Sequence, residues 1–206
     1  MRLSFASAPA TESSTAKDAV QGDFQAPNDV RVAMVVEQMW QPVPGGSGTY
    51  ITNLAHSLRA QGVKVAGIAA RRSHNDPGAS AVGLETMPVR YANLPRPALY
   101  EAWNRLHSPL AESILPASDL VHATTWAIPP TRKPLVVTVH DLAFLRNPEH
   151  FTKRGNSYFR KSLQRTINEA QAVIVPSQAT ADDCYEAGIN SERVHVIPHG
   201  VSVQEV

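Results

Sequence analysis

Only one cysteine, Cys184, occurs in the 206 residues, which excludes an internal disulfide framework and suits a reducing cytosol. It sits in an amphipathic helical pattern with no basic cluster beside it, so it reads as a small packing residue rather than a nucleophile. No apolar run approaches the roughly 18–20 residues that span a bilayer. Neither sign of charge is in surplus: 19 Lys and Arg against 18 Asp and Glu give a formal net charge of +1, so the chain as a whole has no pull on nucleic acid. The first 29 residues lack the apolar core of roughly 7–15 residues that a signal peptide needs, and Glu12, Asp18 and Asp23 argue against an acid-poor transit peptide. Rich in Ala, Ser, Thr and Pro, residues 1–30 cannot bury enough surface to order themselves and are expected to form a flexible tail.

What is present is an ordinary globular composition, 43% hydrophobic and 18% charged. Apolar runs suited to strands occur at Val32–Val36, Val63–Ala69, Thr86–Tyr91, Leu120–Thr124, Leu135–Val139, Ala172–Pro176 and Val194–Ile197. They are near-continuous rather than alternating, which means burial on both faces, as in a parallel sheet. Between the first two, Ile51, Leu54, Ala55 and Leu58 repeat at helical spacing, and Gly62 is placed to end that helix. Further helical patterns lie near Ala98–Leu115, Asn156–Ala170 and Ala179–Ala187. This alternation predicts an α/β fold, a Rossmann-like doubly wound and mostly parallel sheet over residues 31–201.

Ligands of such sheets bind outside the carboxyl ends of the strands, so the segments that follow the strands carry the information. After the first comes "EQMWQPVPGGSGTYI", after the fourth "HATTWAIPPT", after the fifth "HDLAFLRNPEH" and after the last "PHGVS". Together they bring glycines, histidines, an aspartate and two tryptophans to one rim. Gly45, Gly46 and Gly48 precede a helix, whose first N–H groups and positive dipole end suit an anion. The same glycines would also serve a tight turn. Named motifs are excluded: there is no Lys after the glycines for a P-loop, position 51 is Ile where the dinucleotide fingerprint needs Gly, and Thr49 stands at the final glycine of a nucleophile elbow. Arg71 and Arg72, after the second strand, stand where a nicotinamide cofactor's 2′-phosphate would lie, but the glycine pattern is wrong for that cofactor.

The stretches "VPGGSGTYITNLAHSLRAQGVKV", "DLVHATTWAIPP", "VVTVHDLAFLRNPEHF", "AVIVPSQATADDCYEAGI" and "RVHVIPHGVS" resemble the amino-terminal half of a family 4 glycosyltransferase of the GT-B architecture. "HDLAFLRNPE" looks like the mannosyltransferase-like branch. The resemblance implies two Rossmann-like domains facing a cleft, and transfer of a hexose such as mannose, with retention, from a nucleotide-sugar to a glycan or lipid-linked acceptor. It assigns the acceptor side to this domain, the donor pyrophosphate to the loop of Gly46 and Gly48, and a contact with the donor sugar to His140. No metal and no cofactor beyond the nucleotide-sugar substrate are implied.

Other rim residues keep two readings. Asp141 can orient the His140 ring or contact an acceptor hydroxyl, and equally can begin a turn. His122 is as suited to the interior as to a ligand. Trp126 and Trp40 can line an acceptor pocket or simply pack, and His199, where the family's chain leaves the first domain, suits a hinge. Between Arg146 and Arg165 the chain carries Arg146, Lys153, Arg154, Arg160, Lys161 and Arg165 against Glu149 alone. That run is either a solvated face or, through Lys153, Arg154, Arg160 and Lys161, a peripheral contact with anionic lipid at the inner membrane surface of a cytoplasmic protein. The family's defining glutamate pair, separated by seven residues, occurs nowhere in the chain, and there is no D-x-D. Residues 202–206 therefore read as the start of an interdomain connection, with the donor domain supplied in cis or trans. A non-catalytic glycan- or partner-binding module is the alternative.

Overall fold

The computed structural model describes residues 29–85 and 87–200. Seven strands form one sheet: β1 (Arg31–Val35), β2 (Lys64–Ala69), β3 (Val89–Tyr91), β4 (Leu120–Ala123), β5 (Leu135–Thr138), β6 (Ala172–Val175) and β7 (Val194–Val196). Every neighbouring pair is parallel, in the order β3-β2-β1-β4-β5-β6-β7. The helices are α1 (Gly45–Ala60), α2 (Arg96–Arg105), α3 (Ala111–Ile114), α4 (Ala143–Arg146), α5 (Lys153–Glu169) and α6 (Gln178–Glu186). The order turns back between β1 and β4, the switch point at which sheets of this kind generally offer a crevice for ligands.

The period-two geometry of β1 explains why its sequence is apolar throughout. Ala33 and Val35 enter one core with Leu99 and Trp103 of α2 and Leu163 of α5. Val32 and Met34 enter the other with Ile51 and Ala55 of α1. A fully buried Val, Leu or Ile side chain contributes roughly 1.5–3 kcal/mol, so loading both faces anchors the layers to a common strand. Asp119 pins the start of β1 to β4 by accepting from the backbone N of Arg31 at 2.9 Å and from its guanidinium at 2.8 and 3.1 Å. Those bonds hold its carboxyl down at about 2.

All seven expected strands form, with ends moved by a few residues. The expected third strand begins later, at Val89, and Thr86 lies outside the described residues. The helix expected over Ala98–Leu115 is corrected to two pieces. Pro109 cannot donate a backbone N–H and pushes the preceding residue out of helical geometry, so α2 stops at Arg105, and His107 takes a φ of 48°. Helix α5 starts three residues earlier than expected because the Thr152 hydroxyl caps it, accepting from Gly155 N at 3.0 Å. Gly62, at φ 86°, ends α1 as expected. The expected tail lies outside the described residues except for Asp29 and Val30, and the expected connection at 202–206 lies outside them altogether.

Two of the six cations counted between Arg146 and Arg165 prove to be committed. Arg146 pairs with Asp183. Arg165 is buried, donating to the carbonyls of Ile128 at 2.5 Å and Trp103 at 3.4 Å and to Glu169 at 2.8 and 3.0 Å. It thereby ties α5 to α2 and to the loop after β4. Arg165→Ala should strand those acceptors and cost about 3 kcal/mol. The measurement is a urea titration followed by Trp fluorescence, expected to show a lower midpoint with unchanged slope.

Candidate active site

The glycines open α1. Gly45 has a φ of 62° and Gly46 has open space where a side chain would stand, whereas a Cβ on Gly48 would lie 2.5 Å from Pro44 Cβ. Gly48 is therefore required by close packing, and Gly45 by its backbone conformation. No side chain caps the helix and no acidic residue occupies its first turn. Gln38 instead secures the approach by donating to the Pro44 carbonyl at 3.0 Å. The first turn thus keeps N–H groups with no side-chain partner at the positive end of a 16-residue helix.

His140 follows β5 and is half-buried. Its Nε2 lies 3.0 Å from the Thr124 carbonyl after β4, and its Nδ1 lies 3.2 Å from His199 Nε2 after β7. Burial is the main cause that holds its pKa below the ordinary histidine value, with the neighbouring His199 acting in the same direction. The ring of Tyr50, in the second turn of α1, meets His140 edge-on at 5.1 Å and lies against His199 at 4.7 Å. A groove lined by Gly46, Tyr50, Ile197, Pro198, His199 and Gly200 runs between α1 and the segment after β7. The glycine loop, His140 and His199 are therefore brought to one place.

His122 is an interior group. It is buried in β4 with Nε2 2.8 Å from Thr138 Oγ1, which is also 2.9 Å from Tyr50 OH. Burial drives its pKa down to about 4. Asp141 is exposed and closes a turn, accepting from Ala143 N at 2.9 Å, and makes no hydrogen bond to the His140 ring. Trp126 packs edge-on against Phe144 at 5.3 Å, and its carbonyl accepts from Tyr158 OH at 3.1 Å. Trp40 donates from Nε1 to the Pro77 carbonyl at 2.8 Å, meets Tyr91 edge-on and carries the Arg72 guanidinium over its ring at 4.7 Å. These two tryptophans are built into the rim as packing. A hollow lined by Arg31, Val63, Lys64, Pro88 and Leu115 lies at the opposite end of the sheet, where β1 and β2 begin.

Residues 44–205 match Glycosyltransferase Family 4. The chain belongs to that family. Solved structures share its fold. HepE (Alr3699) of Anabaena in complex with UDP is 22% identical with a TM-score of 0.51, over 84% of this chain and 44% of that one. The HepE complex with UDP-glucose is 21% identical at a TM-score of 0.51, over 83% and 44%. The apo form of the lipopolysaccharide outer core galactosyltransferase WaaB is 14% identical at a TM-score of 0.53, over 86% and 48%. The chain spans less than half the length of each of these proteins. No curated protein sequence matches it as a relative.

Sequence reasoning about this family 4 domain missed Tyr50, Thr124 and Thr138, which hold the histidines, and Glu37. The signals were a polar Thr inside the apolar "LVVTV" and an acid directly after the buried "AMVV". Glu37 is buried, accepts from Ala70 N at 2.6 Å and pairs with Arg72. Arg72, donating also to the Ala70 carbonyl at 2.9 Å, is thus taken up by structure rather than free for a cofactor phosphate.

The buried imidazole gives the fold a pH dependence. An unfolded His122 takes up a proton near pH 6.5, whereas the folded one resists protonation until about 4. Stability is therefore complete above about 6.5 and falls as pH drops toward 4, by roughly 3 kcal/mol. His140, lowered as well, adds in the same direction. Urea midpoints between these pH values should fall for the wild-type chain and much less for His122→Asn.

Proposed function

We propose that the chain is the acceptor-side domain of a retaining glycosyltransferase, which moves a hexose from a nucleotide-sugar to a glycan or lipid-linked acceptor once a donor domain is present. The observation that carries this reading is the uncapped glycine start of α1 in one groove with His199, whose ring is bonded to His140. As the bond from the anomeric carbon to the diphosphate breaks, negative charge grows on the departing group. Fixed N–H donors aimed at that charge stabilise it without reorganising. A neutral imidazole orients a sugar hydroxyl and needs no nucleophile of its own. Asp141, exposed and bonded through Oδ1 to the Ala143 N–H, is left with Oδ2 to meet an acceptor hydroxyl rather than the His140 ring.

HepE has been seen with UDP and with UDP-glucose, which supports a uridine donor, while the "HDLAFLRNPE" stretch keeps mannose as the alternative sugar. No Glu in the chain has another Glu eight positions on, so the carboxylates of a family donor site are expected from a carboxyl-terminal domain in cis or trans. The purified chain incubated with UDP-glucose and with GDP-mannose should release no nucleoside diphosphate. Addition of a matching donor domain should start turnover, and His140→Ala should then lower it about 10²-fold. Release by the chain alone would defeat the half-enzyme reading, and glycan binding that never leads to release would favour a binding module.

We also place the domain at the inner face of a membrane in the cytoplasm. Lys153, Arg154, Arg160 and Lys161 are all exposed on α5, and none is in an ion pair with a carboxylate among the described residues. No helix among the described residues is long and apolar enough to cross a bilayer. Near an acidic surface each such cation contributes about 1 kcal/mol. Sedimentation with phosphatidylglycerol vesicles should fall steeply when all four are changed to Ala, and equal binding by the variant would rule the contact out.

A further inference from the structure

The hydrogen bonds of His140 fix which nitrogen carries its proton. A carbonyl oxygen only accepts, so His140 Nε2, 3.0 Å from the Thr124 carbonyl, must be the N–H. A neutral imidazole has a single N–H, which leaves Nδ1 as a lone pair. His199 Nε2, 3.2 Å from that Nδ1, must then be the donor. Both nitrogens of His140 are therefore engaged, one by the loop after β4 and one by the segment after β7.

The surroundings hold this arrangement in place. Tyr50 lies against both rings and is fastened at its hydroxyl to Thr138, which is itself bonded to His122. The titratable groups that face the pair are Tyr50 from α1, His122 from β4 and Asp141 from the loop after β5, whose Oδ1 accepts from the Ala143 N–H. His199 is exposed, and its neighbours Pro198 and Gly200 line the groove beside Gly46.

We infer that His199 is a positioning residue that fixes the His140 tautomer by occupying the only lone pair that ring can offer, so that a ligand group taking its place must be a hydrogen-bond donor, such as a sugar hydroxyl. The naming of a sugar hydroxyl rests on the function proposed above; the bond itself does not. A phosphate or carboxylate oxygen cannot make this exchange, because two acceptors would face each other. The anion is thereby directed to the helix start and the hydroxyl to the histidine.

The test is long-range 15N–1H NMR of the histidine side chains in the 206-residue chain, without nucleotide-sugar, at a pH where His140 is neutral. His140 should appear as the Nε2–H tautomer, with its Nδ1 resonance shifted by an accepted hydrogen bond. His199→Ala should lose that shift, while His199→Gln, which keeps an N–H donor, should restore much of it. Backbone spectra that superpose away from the site would show that each variant is folded. A His140 found as the Nδ1–H tautomer, or an Nδ1 shift unmoved by His199→Ala, would overturn the inference. Because no ligand is present, that failure is separable from a failure to turn over nucleotide-sugars.

Discussion

Thr138 stands at the end of β5 with one hydroxyl between His122 Nε2 at 2.8 Å and Tyr50 OH at 2.9 Å. Through that oxygen a core strand, its neighbour and the first helix are tied together at the rim where the glycines and histidines meet. A hydroxyl has one proton to give, so the chain of bonds runs in one sense or the other, and in either sense Thr138 donates once and accepts once. Inside the protein such a network is worth having only when each member is satisfied. Removing the Thr138 hydroxyl would leave a buried imidazole nitrogen unpaired and Tyr50 free to tilt. The two rings resting on Tyr50 would then lose their support.

The strands were legible because a parallel sheet buries both faces, and that demand writes itself into consecutive residues. Val32 to Val36 need no partner sequence to be recognised, since each side chain enters one of two cores. The helix ends were less so. A periodic pattern continues across Pro109, but the backbone cannot, and the pattern at Asn156 begins only after the Thr152 cap has already started the helix. In both cases a local backbone bond outranked side-chain periodicity.

The residues of the rim were legible for a topological reason: every strand points the same way, so whatever follows a strand reaches the same rim. That rule is enough to put His140, His199 and the glycines on one rim. Their roles were not, because the partners lie far apart in sequence. His140 meets His199 across 59 positions, and Thr138 meets Tyr50 across 88. Charge counting failed likewise at Arg146 and Arg165, whose carboxylates stand on other segments or outside the window that was summed. Asp141 stands beside His140 in sequence, yet its Oδ1 turns to the backbone N–H of Ala143 rather than to that ring.

The rim divides into a half that is already satisfied and a half that is open to exchange. On the β2 side, Glu37, Arg72, Trp40 and Pro77 form a continuous set in which a buried carboxylate is matched by a guanidinium and the guanidinium by an aromatic face. Breaking such a buried pair typically costs about 3–5 kcal/mol, more than a single ligand contact returns. On the β7 side, His199 meets His140 through one bond between neutral rings, worth about 1 kcal/mol, and the start of α1 has no side-chain cap to displace. In the exchange proposed above, a ligand replaces that bond with an equivalent one of its own. Under the proposed function, that difference in what each half would have to give up favours the histidine side for binding and leaves the Trp40 side as a fixed wall.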